Sequence, residues 1–165
     1  MIEKLRIVSI GEMVVSADPN DVLVVFGLGS CVVVCLYDPV VRVGSMLHAL
    51  LPNRPDSNNV NGRPTKYVDE GVPLLIDSLV ALGAKPARLR AYLCGGAQMI
   101  IKPGYNDSIN VGERNLAAAE AAMQAAGLKI QARATGGHTG RTVKLYVAKG
   151  QVTVKMLNQE EQTLV

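Results

Sequence analysis

The chain has 165 residues, of which 48% are hydrophobic and only 4% aromatic, and its formal net charge is +3. This length suits one domain with a hydrophobic core. Aliphatic side chains must fill that core, because the chain has no Trp and one Phe. The chain is therefore mildly basic. Its sequence contains no dense block of Lys and Arg residues of the kind that nucleic-acid binders carry, so we expect no nucleic-acid partner.

Cysteine usage and the apolar runs indicate the compartment. Three cysteines, an odd number, argue against a disulfide scaffold. Cys31 and Cys35 would lie about 13 Å apart along a strand, beyond disulfide reach. The charged N-terminus carries no apolar signal core. The uncharged run 22–37 is shorter than the roughly 20 residues of a membrane span. We expect a cytoplasmic protein without membrane insertion.

The apolar patterns predict many strands and two helices. Valine-rich runs and alternating positions favour strands, and spacings of three and four favour amphipathic helices. We predict strands at 5–10, 22–26, two within 27–48, and at 89–94, 129–134, 142–147 and 152–156. We predict helices at 69–82 and 110–126, with Asp69 and Asn110 as their caps.

These elements indicate one α+β layered domain of mostly antiparallel strands over residues 1–157. Residues 158–165 are predicted to be a polar C-terminal tail that frays.

The stretch 27–48 is predicted to form a β-hairpin that holds a thiol beside an imidazole. Asp38-Pro39 marks its turn, because proline presets the backbone for the second turn position. If the loop is centred between residues 39 and 40, Cys31 faces His48 directly, with Cβ atoms about 4.5–5.5 Å apart. A register shift of one residue would put the two side chains on opposite faces.

Cys31 is the leading candidate nucleophile, and His48 is its candidate base. The glycines before Cys31 allow a sharp turn and close approach of a substrate. The backbone N–H groups around Gly29, Ser30 and Cys31 could stabilise an oxyanion. A histidine titrates in the range that a general base needs. The competing interpretations are a buried structural cysteine and a histidine that is merely hydrogen-bonded on a strand.

The remaining candidates are weaker. Cys35 and Cys94 are predicted to be core residues. His138 could be a competing base, but a loop histidine is more often solvated. No metal-ligand spacing supports a zinc site built from Cys31, Cys94 and a histidine. The polar loop 53–65 is predicted to lie near the site and is a candidate contact region for the substrate.

Several motifs together resemble the chemoreceptor glutamine deamidase (CheD) family, and the resemblance covers nearly the whole chain. The motifs are Gly27-Leu-Gly-Ser-Cys31, Cys35-Leu-Tyr-Asp-Pro39, Met46-Leu-His-Ala-Leu-Leu-Pro52, Lys66-Tyr-Val-Asp69, Gly95-Gly96-Ala97, Val111-Gly-Glu-Arg-Asn115, Gly136-Gly137 and Gly140-Arg141. The resemblance implies an enzyme that deamidates glutamine side chains of methyl-accepting chemotaxis receptors, with hydrolysis of glutamyl methyl esters as a related activity. It also implies the layered α/β/β fold of deamidating cytotoxic necrotizing toxins, a CheC-like phosphatase as partner, and no metal or cofactor.

The resemblance assigns the nucleophile to Cys31 and the base to His48. The third member of the family's site, a threonine, corresponds to Val25, which has no hydroxyl group. We therefore expect the backbone carbonyl of Val25 to hold the imidazole instead. Two other functions stay open: a non-catalytic module that regulates a chemotaxis phosphatase, and a cysteine hydrolase that acts on small amides.

Overall fold

The computed structural model describes residues 2–55, 62–99 and 110–165. The described strands are β1 Lys4–Ile7, β2 Glu12–Ser16, β3 Asp21–Leu28, β4 Val32–Asp38, β5 Val43–Ala49, β6 Arg90–Gly95, β7 Ile130–Thr135, β8 Arg141–Tyr146, β9 Gln151–Met156 and β10 Gln162–Thr163. The described α-helices are α1 Val68–Val80 and α2 Val111–Ala125, and two 3₁₀ helices span Pro64–Lys66 and Pro86–Arg88.

The strands form two five-stranded sheets. The middle sheet has the order β2-β5-β4-β6-β7, and the outer sheet has the order β1-β3-β8-β9-β10. Strand pairs β1–β3 and β6–β7 are parallel, and the other pairs within the sheets are antiparallel. Both helices pack on the face of the middle sheet that is turned away from the outer sheet. The predicted layered α+β fold is confirmed.

The middle sheet separates two hydrophobic cores. Successive side chains of a strand point to opposite faces, so β4 supplies Val34 to the helices and Val33 to the outer sheet. All seven residues of β4 are buried, which explains its nearly continuous apolar run. Cys35 and Cys94 belong to the core between the sheets, the inter-sheet core, as predicted.

The helices begin close to the predicted positions, and one of the two predicted caps is confirmed. Asn110 caps α2, because its side-chain oxygen accepts a hydrogen bond of 3.0 Å from the Glu113 N–H. Tyr67 is the residue before α1, and Asp69, the predicted cap, lies in the first turn instead. In the first turn, its negative charge interacts favourably with the positive end of the helix dipole. Neither helix in the described ranges is long and apolar enough to cross a membrane.

Two strands were not predicted. The chain leaves the outer sheet after β1, crosses at residues 8–11, and enters the middle sheet as β2, which pairs with β5. At the other end, β10 pairs with β9, and the Leu164 N–H donates to Val152 O. The predicted polar tail therefore contributes a short strand to the outer sheet.

Candidate active site

The hairpin forms, but its register differs from the prediction by two residues. Val33 lies opposite His48, and Asp38 lies opposite Val43. The predicted direct pair of Cys31 and His48 is therefore wrong, because the loop has four residues and is centred between 40 and 41. A shift of two residues keeps every side chain on its face. Cys31 and His48 thus share the inter-sheet face as diagonal neighbours, a relation that typically spans about 7–8 Å.

Hydrogen bonds to three successive carbonyl groups fix the turn that precedes β4. The Gly29 oxygen accepts from the Ala97 N–H at 3.0 Å, and the Cys31 oxygen accepts from the Gly96 N–H at 2.9 Å. Between them, the Ser30 oxygen accepts from the side-chain amide of Asn115 at 3.0 Å. The segment Gly29–Cys31, which we call the elbow, is therefore held at each carbonyl. Such a fixed backbone can present its N–H groups in a constant direction.

The crossing segment at residues 8–11 holds His48 from two sides. The ring Nδ1 lies 3.0 Å from the Val8 carbonyl oxygen, and the Gly11 N–H donates to the His48 carbonyl at 2.7 Å. Because a carbonyl can only accept, Nδ1 carries the proton and donates. In the neutral ring, Nε2 is then free to act as a base.

The carbonyl that holds the imidazole is therefore that of Val8 and not that of Val25. Val25 pairs with Val143 in the outer sheet, and its side chain belongs to the inter-sheet core. Among the described residues, no hydrogen bond joins Val25 to His48. The predicted type of contact forms, but a residue from another strand connection supplies it.

Burial keeps both candidate groups neutral. Cys31 and His48 are only 7% and 6% exposed. Burial raises the pKa of the Cys31 thiol, and the residue's own backbone N–H partly offsets this by favouring the thiolate. Burial lowers the pKa of His48, against the opposing effect of the Val8 carbonyl. In the described part of the chain, no hydrogen bond joins the thiol to the imidazole. The free protein thus holds a neutral thiol and a neutral imidazole.

The other sequence candidates lie apart from this arrangement or outside the described residues. Burial raises the pKa of the Cys94 thiol to about 12, so this thiol stays protonated at neutral pH. His138 is exposed, and its Nδ1 lies 3.1 Å from Gln98 O. No three potential metal ligands cluster within the described ranges. Of the candidate contact loop 53–65, residues 56–61 lie outside the described residues.

Two contacts at the site were missed from the sequence. Asn115 is fully buried in α2, where it bonds the elbow. Its signal was a polar residue among the alanines of the inward-facing helix side. Val8 has no comparable signal, because it acts through a backbone carbonyl that every residue possesses.

Comparison with known proteins identifies relatives that align with more than nine tenths of the chain. The family model described as CheD chemotactic sensory transduction matches residues 50–156, a range that does not include Cys31 and His48. A Desulforamulus reducens protein named probable chemoreceptor glutamine deamidase CheD is 43% identical over 150 residues, which are 91% of this chain and 89% of that protein. The Thermotoga maritima chemoreceptor glutamine deamidase CheD is 39% identical over 157 residues, 95% of each chain. These matches confirm the resemblance.

Among solved structures, the Bacillus licheniformis hypothetical protein YfiH is similar with a TM-score of 0.44 and 15% identity. The match covers 84% of this chain and 60% of that one. This likeness is too distant to indicate a function.

Proposed function

The chain belongs to the CheD family, and we propose that it deamidates glutamine side chains of chemoreceptors to glutamate with Cys31 as nucleophile and His48 as base. The observation that carries the proposal is the set of relatives of that name, which are about as long as this chain and align with more than nine tenths of it. The placement of a thiol and an imidazole on one sheet face supports the assignment of the two residues.

The first half-reaction transfers the acyl group to sulfur. His48 Nε2 accepts the Cys31 thiol proton as the sulfur attacks the side-chain carbonyl carbon of the glutamine. A C–S bond forms, and the carbonyl π electrons move onto the oxygen. The intermediate then collapses: the C–N bond breaks, the nitrogen takes the proton from His48 and leaves as ammonia, and a thioester remains.

The second half-reaction releases the product. His48 removes a proton from a water molecule, whose oxygen adds to the thioester carbon. The C–S bond breaks, and the sulfur recovers the proton from His48. The product is a glutamic acid side chain, which ionises in water.

The Val8 carbonyl orients the base in this scheme. By accepting the Nδ1 proton, it keeps Nε2 unprotonated and stabilises the imidazolium that forms during attack. The diagonal placement of the pair requires the thiol and Nε2 to approach when substrate binds, since catalytic hydrogen bonds are often long before substrate binding.

We extend the proposal to the setting of the reaction. The substrate is a methyl-accepting chemotaxis receptor, and hydrolysis of receptor glutamyl methyl esters would use the same acyl-transfer chemistry with methanol as the leaving group. The partner is a CheC-like phosphatase, and the compartment is the cytoplasm. No metal or organic cofactor enters either half-reaction.

The test compares deamidation of a chemoreceptor cytoplasmic fragment by the wild type and by C31A, measured as the peptide mass increase when an amide becomes a carboxylate. We expect turnover by the wild type and none by C31A. C35A is the matched control, because Cys35 is buried in the same core, two residues beyond Val33 on β4. It should keep the activity. Absence of a mass gain with wild type would favour the alternative, a non-catalytic module that regulates a CheC-like phosphatase. Turnover of free glutamine would favour a hydrolase of small amides.

A further inference from the structure

Asn115 connects the two chain segments that carry the candidate pair. It lies in α2 with no exposed surface, and its side-chain nitrogen donates to Ser30 O and to Leu50 O, each at 3.0 Å. Ser30 directly precedes Cys31, and Leu50 follows His48 by two residues. One amide group thus joins the start of β4 to the end of β5.

The chemistry of these acceptors fixes the orientation of the amide. Both are carbonyl oxygens, so only the Nδ2 end of Asn115 can satisfy them. The Oδ1 atom is left buried with no hydrogen-bond partner. An unpartnered buried oxygen is unfavourable for folding. An apolar residue at this position would avoid that penalty but would leave both carbonyls without a donor.

The direction of the Ser30 carbonyl determines the direction of the next N–H group. In a planar trans peptide, the C=O and the following N–H point in opposite directions. Because Ser30 O points to α2, the Cys31 N–H points away from α2, to the side of its own thiol. Within the described ranges, no backbone or side-chain oxygen accepts a hydrogen bond from this N–H. A fixed donor that is bonded to no oxygen and lies beside the nucleophile can stabilise an oxyanion.

We propose that Asn115 is a positioning residue that holds the Cys31 N–H in the direction of the oxyanion formed when the thiol attacks the glutamine amide. This inference rests on the proposed function. It assigns Asn115 no contact with substrate: the side chain acts through the Ser30–Cys31 peptide. The hydrogen bonds from Ala97 and Gly96 hold the two neighbouring carbonyls, so removal of Asn115 would free this one peptide.

The test distinguishes a loss of oxyanion stabilisation from a loss of thiol reactivity. Alkylation of Cys31 by iodoacetamide displaces iodide and forms no oxyanion, whereas deamidation does. For N115A we expect the kcat for deamidation of the receptor fragment to fall about 100-fold, the effect of losing one oxyanion donor. The alkylation rate, followed by peptide mass spectrometry, should stay within about threefold, because burial, the largest influence on the thiol pKa, is kept. N110A, the same substitution at the cap of α2, controls for loss of helix stability.

The possible outcomes test the inference and the proposed function separately. If N115A keeps its kcat, or if kcat and alkylation fall in proportion, the inference is overturned. Should N115A fail to fold, N115L, which has a similar shape but no hydrogen-bond donor, is judged by the same two rates. A wild type that does not deamidate overturns the proposed function and with it the inference. If the wild type deamidates and N115A is equally active, only the inference is overturned.

Discussion

Asp38 closes the hairpin that carries Cys31 and His48, and D38N should destabilise the protein in a pH-dependent way. Asp38 is fully buried. Its oxygens accept from the backbone N–H groups of Val40 and Lys85, each at 2.9 Å, and from the Arg88 guanidinium at 2.8 Å. The carboxylate therefore joins the turn to the segment that precedes β6.

The pKa of Asp38 gives the loss of folding free energy that we expect for D38N. Burial alone would raise this pKa, but the hydrogen bonds from Arg88 and from the backbone N–H groups outweigh it and lower the pKa from 3.8 to about 2. This difference of about 1.8 corresponds to about 2.4 kcal/mol of folding free energy. Because the pKa is lowered in the folded state, the contribution is present above pH 4 and is lost as the pH falls towards 2.

The assay is urea unfolding of the wild type and of D38N at pH 7 and pH 2. We expect D38N to be less stable by about 2.4 kcal/mol or more at pH 7, and the difference to shrink by most of that amount at pH 2. D77N, at an exposed aspartate of α1, is the matched control and should change stability little. A difference that is equally large at both pH values would refute the reasoning, because the charge of Asp38 would then contribute nothing.

Two further predictions concern the site. The acid limb of the deamidation pH profile should have its midpoint below 6.5, because burial lowers the pKa of His48 from that value and the neutral ring is the base. A midpoint above 6.5 in the kcat profile would contradict a buried neutral imidazole. G95A should reduce kcat about tenfold or more, because a Cβ at this position, where φ is +100°, would overlap the Cys31 carbonyl oxygen. G127A is its control: it has φ +74° but no atom within 4 Å of the added Cβ, so equal losses in the two variants would argue against the overlap.

The sequence was sufficient to predict that Cys31 and His48 share a face, but not their register. The face follows from the period of two along each strand and survives any even shift. The register depends on the loop, where Arg42 adopts a left-handed conformation with φ +56° and donates to Asp38 O. Arg is not a residue that signals such a conformation, so the predicted loop was centred one residue before the loop that forms.

The missed elements share a physical cause, which is that long-range pairing decides them. β2 is a five-residue edge strand whose residues are mostly half-buried, and its strand conformation depends on β5, more than 25 residues away in the chain. The two residues of β10 are exposed and polar, so no apolar alternation marks them. Local patterns predict elements that bury a face of their own and miss those that complete the edge of a sheet.

The site lies where the ends of several elements meet, which explains why no single motif encodes it. Cys31 precedes β4, His48 lies near the end of β5, and Val8 belongs to the crossing between the two sheets. Hydrogen bonds between paired strands fix these ends. Asn115, in the helix layer, links the start of β4 to the end of β5. In the proposed chemistry, the apolar core keeps the thiol and imidazole neutral, and only backbone groups and one buried amide orient them. Specificity for a receptor glutamine must then come from the surface around the Cys31 thiol, because Val8 and Asn115, which orient the pair, are fully or almost fully buried.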